Sequence, residues 1–250
     1  MDHLSSGEEG LQKRGFPKKT IAAGYRHTVA LHSEGAVTAV GDDKHGQCQV
    51  SGWQDITAVV AGSGHIGNSH TVGLQKNGEV VAIGWNKYQQ CDVNDWRNIK
   101  AIAAGWRRTL GLKKDGTVVA AGRNNEGQCN VADWQEIVSV SAGDWHTLGL
   151  QKNGTVKAAG NNHYGQGNVR DWEDIIETAA GYLHSVGLQA DGTVLAVGLN
   201  KDRQCDVDGW REVVEIAVGS NHTIGLKADG TVMASGILKD NARRVAGTIL

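Results

Sequence analysis

The 250-residue chain has one proline, one phenylalanine and no long apolar run. No stretch approaches the ~20 apolar residues of a transmembrane helix, which excludes a helical membrane span. The N-terminal "MDHLSSGEEGLQKRGFPKK" lacks the apolar core that a secretory signal carries. Residues 1–15 therefore read as a polar leader, and a cytoplasmic location is expected. The formal net charge of −2 sets up no field that would draw the chain to nucleic acid or a membrane surface. The four cysteines form no C-x-x-C pair, which removes the usual zinc pattern. P-loop, G-x-S-x-G and H-E-x-x-H motifs are missing too. No catalytic constellation is legible, and neither an enzyme, a cofactor nor a metal site is expected.

Glycine, by contrast, is abundant at 35 residues. The mixed charge and sequence complexity argue against disorder, so the glycines read as tight turns. One cluster, "ITAVVAGSGHIG" (56–67), imitates a dinucleotide fingerprint: Gly62, Gly64 and Gly67 fit G-x-G-x-x-G, and Glu79 lies 17 positions beyond Gly62. That fingerprint requires a helix after its last glycine, to aim amides at a pyrophosphate. Here "HTVGLQKNGEVVAIG" follows, two strand-like runs joined by Asn77-Gly78. There is no βαβ unit, and the match is rejected.

Internal repetition explains the glycines. "AAGWRRTLGLKKDGTVVAAGRNNEGQCNVADWQEIVSV" (103–140) aligns end to end with "SAGDWHTLGLQKNGTVKAAGNNHYGQGNVRDWEDIIET" (141–178). The marker glycines Gly24, Gly62, Gly105, Gly143, Gly181 and Gly219 are spaced by 38 residues, except for 43 between Gly62 and Gly105. The extra five residues fall in "SGHIGNSH" (63–70), where other repeats have three, such as "YRH" (25–27). Each repeat reads as three strands, exemplified by "IKAIAA" (99–104), "TLGLKK" (109–114) and "TVVAAG" (117–122). We call them a, b and c. Strands b and c are joined by Asn-Gly or Asp-Gly in five repeats and Glu34-Gly35 in the first, which predicts type I′ hairpin turns. Units this small cannot bury a core alone. Stacked radially they bury faces against neighbours, which predicts an all-β, six-bladed β-propeller with short, three-stranded blades.

The recurring "AGxxHTxGLKxDGTVxAxGxNxxGQ" pattern resembles the repeats of the regulator of chromosome condensation family, which form β-propellers. The resemblance runs from about Thr20 to Gly236 and recurs six times. The short period is similar to that of bacterial propellers with three-stranded blades that inhibit β-lactamases. "AGWRRT" (104–109) also resembles the "GWRHT" motif of the plant ultraviolet-B photoreceptor family, which uses clustered tryptophans from neighbouring blades. Trp145 is shifted by one position and Tyr182 replaces the next tryptophan, so that triad is incomplete. A single domain is expected over residues 16–250, with a divergent tail, 237–250, that closes the ring against blade 1 or packs under it.

Residues that recur in register read first as scaffold. Trp53, Trp96, Trp134, Trp172 and Trp210 share one position and are expected to fill blade junctions. Cys48, Cys91, Cys129 and Cys205 share another, with Gly167 in the remaining linker. Equivalent positions on neighbouring blades lie beyond the ~7 Å limit for a disulfide, so reduced cysteines packed as buried hydrophobes are expected. His27, His70, His146, His184 and His222 are in register with Arg108. Zinc would need ligands about 2 Å away converging on one point, whereas blades spread these side chains around a circle. Each histidine is expected to bond to its own blade's turn.

Residues that vary point to function. Alternating strand directions place the a–b turns and the loops after c on one face, with the b–c turns opposite. All four tyrosines, Tyr25, Tyr88, Tyr164 and Tyr182, fall in the first set, as do Trp85, Trp106 and Trp145. Tyr and Trp are enriched where proteins bind. Interspersed charges of both signs favour a protein partner over nucleic acid, which would need a basic stripe. The expected partner-binding residues are Tyr25, Arg26, His65, Ile66, Asn68, Trp85, Tyr88, Trp106, Arg107, Asp144, Trp145, Tyr164 and Tyr182. The function expected is non-enzymatic capture of a macromolecule, with binding of a small polar ligand at the mouth of the central channel as the alternative.

Overall fold

The structure is a computed structural model and describes residues 20–63 and 67–237. Eighteen strands form six antiparallel three-stranded sheets, each ordered a-b-c, and the described residues hold no α-helix. Blade 1 comprises β1 (Ile21–Ala23), β2 (His27–Leu31) and β3 (Val37–Gly41). Blade 2 comprises β4 (Ile56–Ala61), β5 (His70–Gln75) and β6 (Val80–Gly84). Blade 3 comprises β7 (Ile99–Gly105), β8 (Arg108–Lys113) and β9 (Val118–Gly122). Blade 4 comprises β10 (Ile137–Ala142), β11 (His146–Gln151) and β12 (Val156–Gly160). Blade 5 comprises β13 (Ile175–Ala180), β14 (His184–Gln189) and β15 (Val194–Gly198). Blade 6 comprises β16 (Val213–Val218), β17 (His222–Lys227) and β18 (Val232–Gly236). The expected six-bladed β-propeller is present.

The b–c hairpins differ from type I′ turns. Gly78 and Gly116 are left-handed (φ 85° and 83°), but the Asn or Asp before them is not. The Gly78 amide donates to the Gln75 carbonyl, closing a turn with a glycine bulge. The Asn or Asp acts through its side chain instead: the Asp115 carboxylate accepts the Thr117 amide at 2.9 Å. An Asx turn needs no positive φ at that residue.

Packing lies between blades rather than within them. Leu110, Leu112 and Val118 of blade 3 meet Val131 and Trp134 of the linker and Ile137 and Val140 of blade 4. Four further clusters repeat this arrangement at the other described seams. As expected, the tryptophans sit at the junctions. The Trp134 ring lies so close over Gly149 that a Cβ there would come within 2.5 Å of Cζ3. Trp53, Trp96, Trp172 and Trp210 cover Gly73, Gly111, Gly187 and Gly225 in the same way.

The histidines correct the sequence reading. His27, His70, His146 and His184 bond not to their own turn but to the next blade. His27 Nε2 meets Thr71 Oγ1 at 3.0 Å, His70 meets Thr109 at 3.0 Å, His146 meets Ser185 at 2.9 Å and His184 meets Thr223 at 3.2 Å. Each hydroxyl donates onward to the main-chain carbonyl of a linker glutamine, as Thr109 does to Gln90 at 2.7 Å. The hydroxyl hydrogen is thus committed, and Nε2 must be the donor, which fixes the tautomer. Arg108 fills the same slot with an obligate donor, its Nε bonding Thr147 Oγ1 at 3.1 Å. The reason is geometric: each imidazole lies across its marker glycine, as His184 does over Gly181, and so points along the ring.

None of these devices recurs between blades 6 and 1 among the described residues. Thr28, the counterpart of Thr71, is exposed, as is Ile21 at 72%. Gly230 meets nothing, whereas Gly35 through Gly192 abut the next blade's backbone. At the position of Gly73 blade 1 carries Ala30, which leaves no room for a tryptophan of the ordinary kind. The expected closing tail lies, apart from Ile237, outside the described residues, as does the expected leader.

Candidate functional site

In every blade the first residue after strand c bonds back to the a–b turn. Trp85 N donates to the Ser69 carbonyl at 2.9 Å, Arg123 N to Arg107 at 2.9 Å and Asn161 N to Trp145 at 3.0 Å. These bonds knit the a–b turns and the post-c loops into one face. Across blades 2, 3 and 4 this face carries a cluster in which two guanidinium groups interleave with four rings. The Arg107 Cζ lies 3.9 Å from the Trp106 centroid, 5.0 Å from Trp85 and 5.1 Å from Tyr88. The Arg123 Cζ lies 4.7 Å from Trp145 and 5.3 Å from Trp106. Trp106 and Trp145 touch directly at 4.7 Å, so the shift of Trp145 by one position does not separate them. Trp85 and Tyr88 meet edge to face at 5.5 Å, and His45 flanks Trp85 at 6.5 Å. Cation–π contacts at partly desolvated sites each contribute about 0.5–2 kcal/mol, enough to hold long arginine side chains in place.

The local backbone explains why blade 3 is the centre. Its a–b ladder runs one pair further, to Gly105 and Arg108, leaving a two-residue turn of Trp106 and Arg107. Arg107 is left-handed (φ 63°). Beneath it, the fully buried Arg108 donates to the carbonyls of Asp144 and His146 in blade 4. Burial lowers its pKa to about 10, a range in which it stays charged at neutral pH.

The remaining expected residues are placed unevenly. Asp144 accepts from Ser63 Oγ at 2.8 Å, a bond that reaches from blade 2 past blade 3. Asn68 meets His45 at 3.0 Å. Tyr25 stands 54% exposed beside Arg26, and Tyr164 stands 47% exposed against His163, both apart from the cluster. Tyr182 is half-buried in the blade 5 turn. His65 and Ile66 lie outside the described residues. Arg123 and Glu126, paired at 3.4 Å, are charges of this face that were not among the expected partner-binding residues. The signal was available: Arg123 is in register with Trp85.

The cysteines require a second correction. They are half-buried linker residues rather than core hydrophobes. Each amide is held by an Asn or Asp side chain, as Cys129 N is by Asn124 at 2.7 Å, and each thiol turns back onto a main-chain carbonyl, as Cys129 Sγ does onto Arg123 at 3.3 Å. Burial, reinforced by a neighbouring aspartate, pushes the Cys91 thiol up to about 12 and Cys205 to about 11. Among the described residues no group of three His, Cys, Asp or Glu is placed to hold a metal ion. A hollow of about 440 Å³ lies away from the cluster, on the opposite face, lined by Gly192, Val213 and Lys227 among others.

The fold and this face define a propeller whose distinctive chemistry sits in its turns rather than in a pocket. The profile of the regulator of chromosome condensation (RCC1) repeat matches residues 19–47, 99–128, 137–166 and 213–242. The chain thus carries repeats of the RCC1-like family. Yeast RCC1 (Prp20), solved bound to Kap60, is 17% identical with a TM-score of 0.70, over 86% of this chain and 69% of that one. Human WBSCR16 is 18% identical with a TM-score of 0.71, over 87% and 77%. The ectodomain of the Physcomitrella patens receptor kinase CR4 is 18% identical with a TM-score of 0.74, over 88% and 63%. Likeness at these identities speaks for the fold alone. No curated protein sequence matches the chain.

Proposed function

We propose that this protein is a non-enzymatic binding propeller that holds a protein partner on the face built by the a–b turns and post-c loops, in a reducing cytoplasmic setting. The observation that carries the reading is the interleaved cluster of Trp85, Tyr88, Trp106, Trp145, Arg107 and Arg123. Tryptophan, tyrosine and arginine are the residue types that dominate binding hot spots. Here they are half-buried and fixed by one another, so little side-chain entropy remains to be lost on association. RCC1-like relatives add support: yeast Prp20 is solved with Kap60 and described as binding Gsp1p and histones.

The test is affinity capture from the native cell lysate with wild-type protein and with Trp106→Ala and Trp145→Ala. Each variant is expected to lose ~2 kcal/mol or more of affinity for a retained partner, measured by calorimetry. Melting temperature should fall by only about 2–4 °C, since both side chains sit in turns. Lys152→Ala, beside the b–c turn on the opposite face, should change nothing. Equal binding by wild type and both tryptophan variants would remove the site from this face.

A further inference from the structure

We propose that the partner meets this face through an acidic protein segment whose carboxylates seat on the edges of Arg107 and Arg123. The proposal rests on the binding-face reading and narrows it to one chemistry.

Hydrogen-bond inventory points first to an acceptor. Three buried side-chain atoms without a partner meet in this one cluster: Trp106 Nε1, Arg107 Nε and Arg123 Nη1. All three are donors. Buried donors in folded proteins almost always find acceptors, and a native exception calls for an explanation. The surroundings have little to offer. Tyr88 Oη already accepts from Arg107 Nη1 at 3.1 Å. Glu126 divides its oxygens between Arg123 Nη2 and Asn161 Nδ2, each at a long 3.4 Å. Asp144 accepts from Ser63.

Charge points the same way. Blade 3 carries Arg107, Arg108 and Arg123, and among the described residues only Arg123 has a carboxylate partner. Arg108 directs its donors at main-chain carbonyls and contributes its field without contact. Arg107 Nε and Arg123 Nη1 are buried, so an acceptor reaches them only when a covering ring turns aside; the rings take the guanidinium faces and leave the planar edge for it. That edge is the fork that matches a carboxylate. A nucleic acid backbone fits poorly, because the chain has no basic stripe along which successive phosphates could run.

Backbone strain is the third, independent pointer. The other left-handed non-glycine residues are repeat features. Asp55, Asn98, Glu136, Asp174 and Glu212 precede strand a, while Gln89 and Arg203 stand where other linkers carry glycine. Arg107 alone breaks the pattern; its counterparts Arg26, Trp145, Leu183 and Asn221 have negative φ. Glycine would relieve the turn, yet arginine occupies it. Strain kept at a surface turn marks a residue held for what its side chain does.

The experiment titrates the protein with hexaglutamate and follows the fluorescence of the tryptophans that sandwich both arginines. Saturable binding, weakened by salt and absent with hexalysine, is expected. Arg107→Gly removes the guanidinium and relaxes the turn. The relaxed turn offsets part of the lost ring contacts, so its melting temperature should fall by only a few degrees while hexaglutamate binding weakens by about tenfold or more. Arg107→Lys keeps the charge but not the fork and should also bind measurably worse. No fluorescence response in the wild type, or equal binding by Arg107→Gly, would overturn the proposal. So would inorganic phosphate binding as tightly as hexaglutamate, since that describes a small-anion site. If hexaglutamate fails while Trp106→Ala still loses its captured protein, the acidic segment is refuted and the binding face stands. If Trp106→Ala and Trp145→Ala keep their captured protein, the face reading itself has failed.

Discussion

Trp134 at the junction of blades 3 and 4 allows a quantitative test of how the blades hold together. Its side chain is 4% exposed, and a buried tryptophan removes roughly 150–250 Å² from water. At about 25 cal/mol per Å² this corresponds to ~4–6 kcal/mol, of which Trp→Ala substitutions typically show ~3–5. Trp134→Ala should therefore remove a large part of a total stability that for most domains is only ~5–15 kcal/mol. The reciprocal change, Gly149→Ala, forces a methyl to within 2.5 Å of the ring and should cost ~1–3 kcal/mol by overpacking. Combined, the two should not add. The new methyl enters the space the ring has left, so Gly149→Ala should become close to neutral in the Trp134→Ala background, a coupling of ~1–3 kcal/mol. Urea denaturation of the four proteins, followed by far-ultraviolet circular dichroism, measures the cycle. A loss under ~1 kcal/mol for Trp134→Ala, or strict additivity, would refute the account of the seam.

Burial holds the imidazoles of His70 and His184 down to about 4 and of His146 to about 3, against 6.5 for a free histidine. Each is then neutral in the folded protein but takes up a proton on unfolding below about pH 6.5. Stability should be full above that pH and fall progressively toward pH 4, read as a declining urea midpoint; a flat profile between pH 7 and 5 would contradict this. Cys48, Cys91, Cys129 and Cys205 should titrate as four free thiols after unfolding, and Cys91 should label far more slowly in the native state at pH 8. A disulfide between any two would break the equivalence of the linkers.

Much of the fold was legible because the repeat supplies six readings of one pattern. Marker glycines, hairpin glycines and junction tryptophans each recur where one physical demand recurs. The histidine assignment failed for a related reason. Register shows that the histidines are equivalent but not which blade each one faces. Nonetheless the partner was written beside it: every such His, and Arg108, is followed by Thr or Ser, and these hydroxyls form the other half of the bond. The hairpin type was misjudged because Asn-Gly and Asp-Gly satisfy two different turns. The side-chain bond from Asp115 to Thr117, which decides between them, is visible only in three dimensions. At the candidate site the sequence placed the rings on one face correctly. It did not show that Arg107 and Arg123 lie between those rings, because cation–π stacking depends on turn geometry in three successive blades.

The five described junctions have a consequence for where motion is slowest. In an array of stacked units each blade is stabilised by the faces it shares with its neighbours, so a blade gripped on both sides opens only when two junctions give way. Blades 2, 3, 4 and 5 each take part in two of the described junctions. Amide protection is therefore expected to be high through these blades. Blades 2, 3 and 4 carry the arginine–tryptophan cluster. The cluster thus rests on a platform whose every blade is clamped from both flanks.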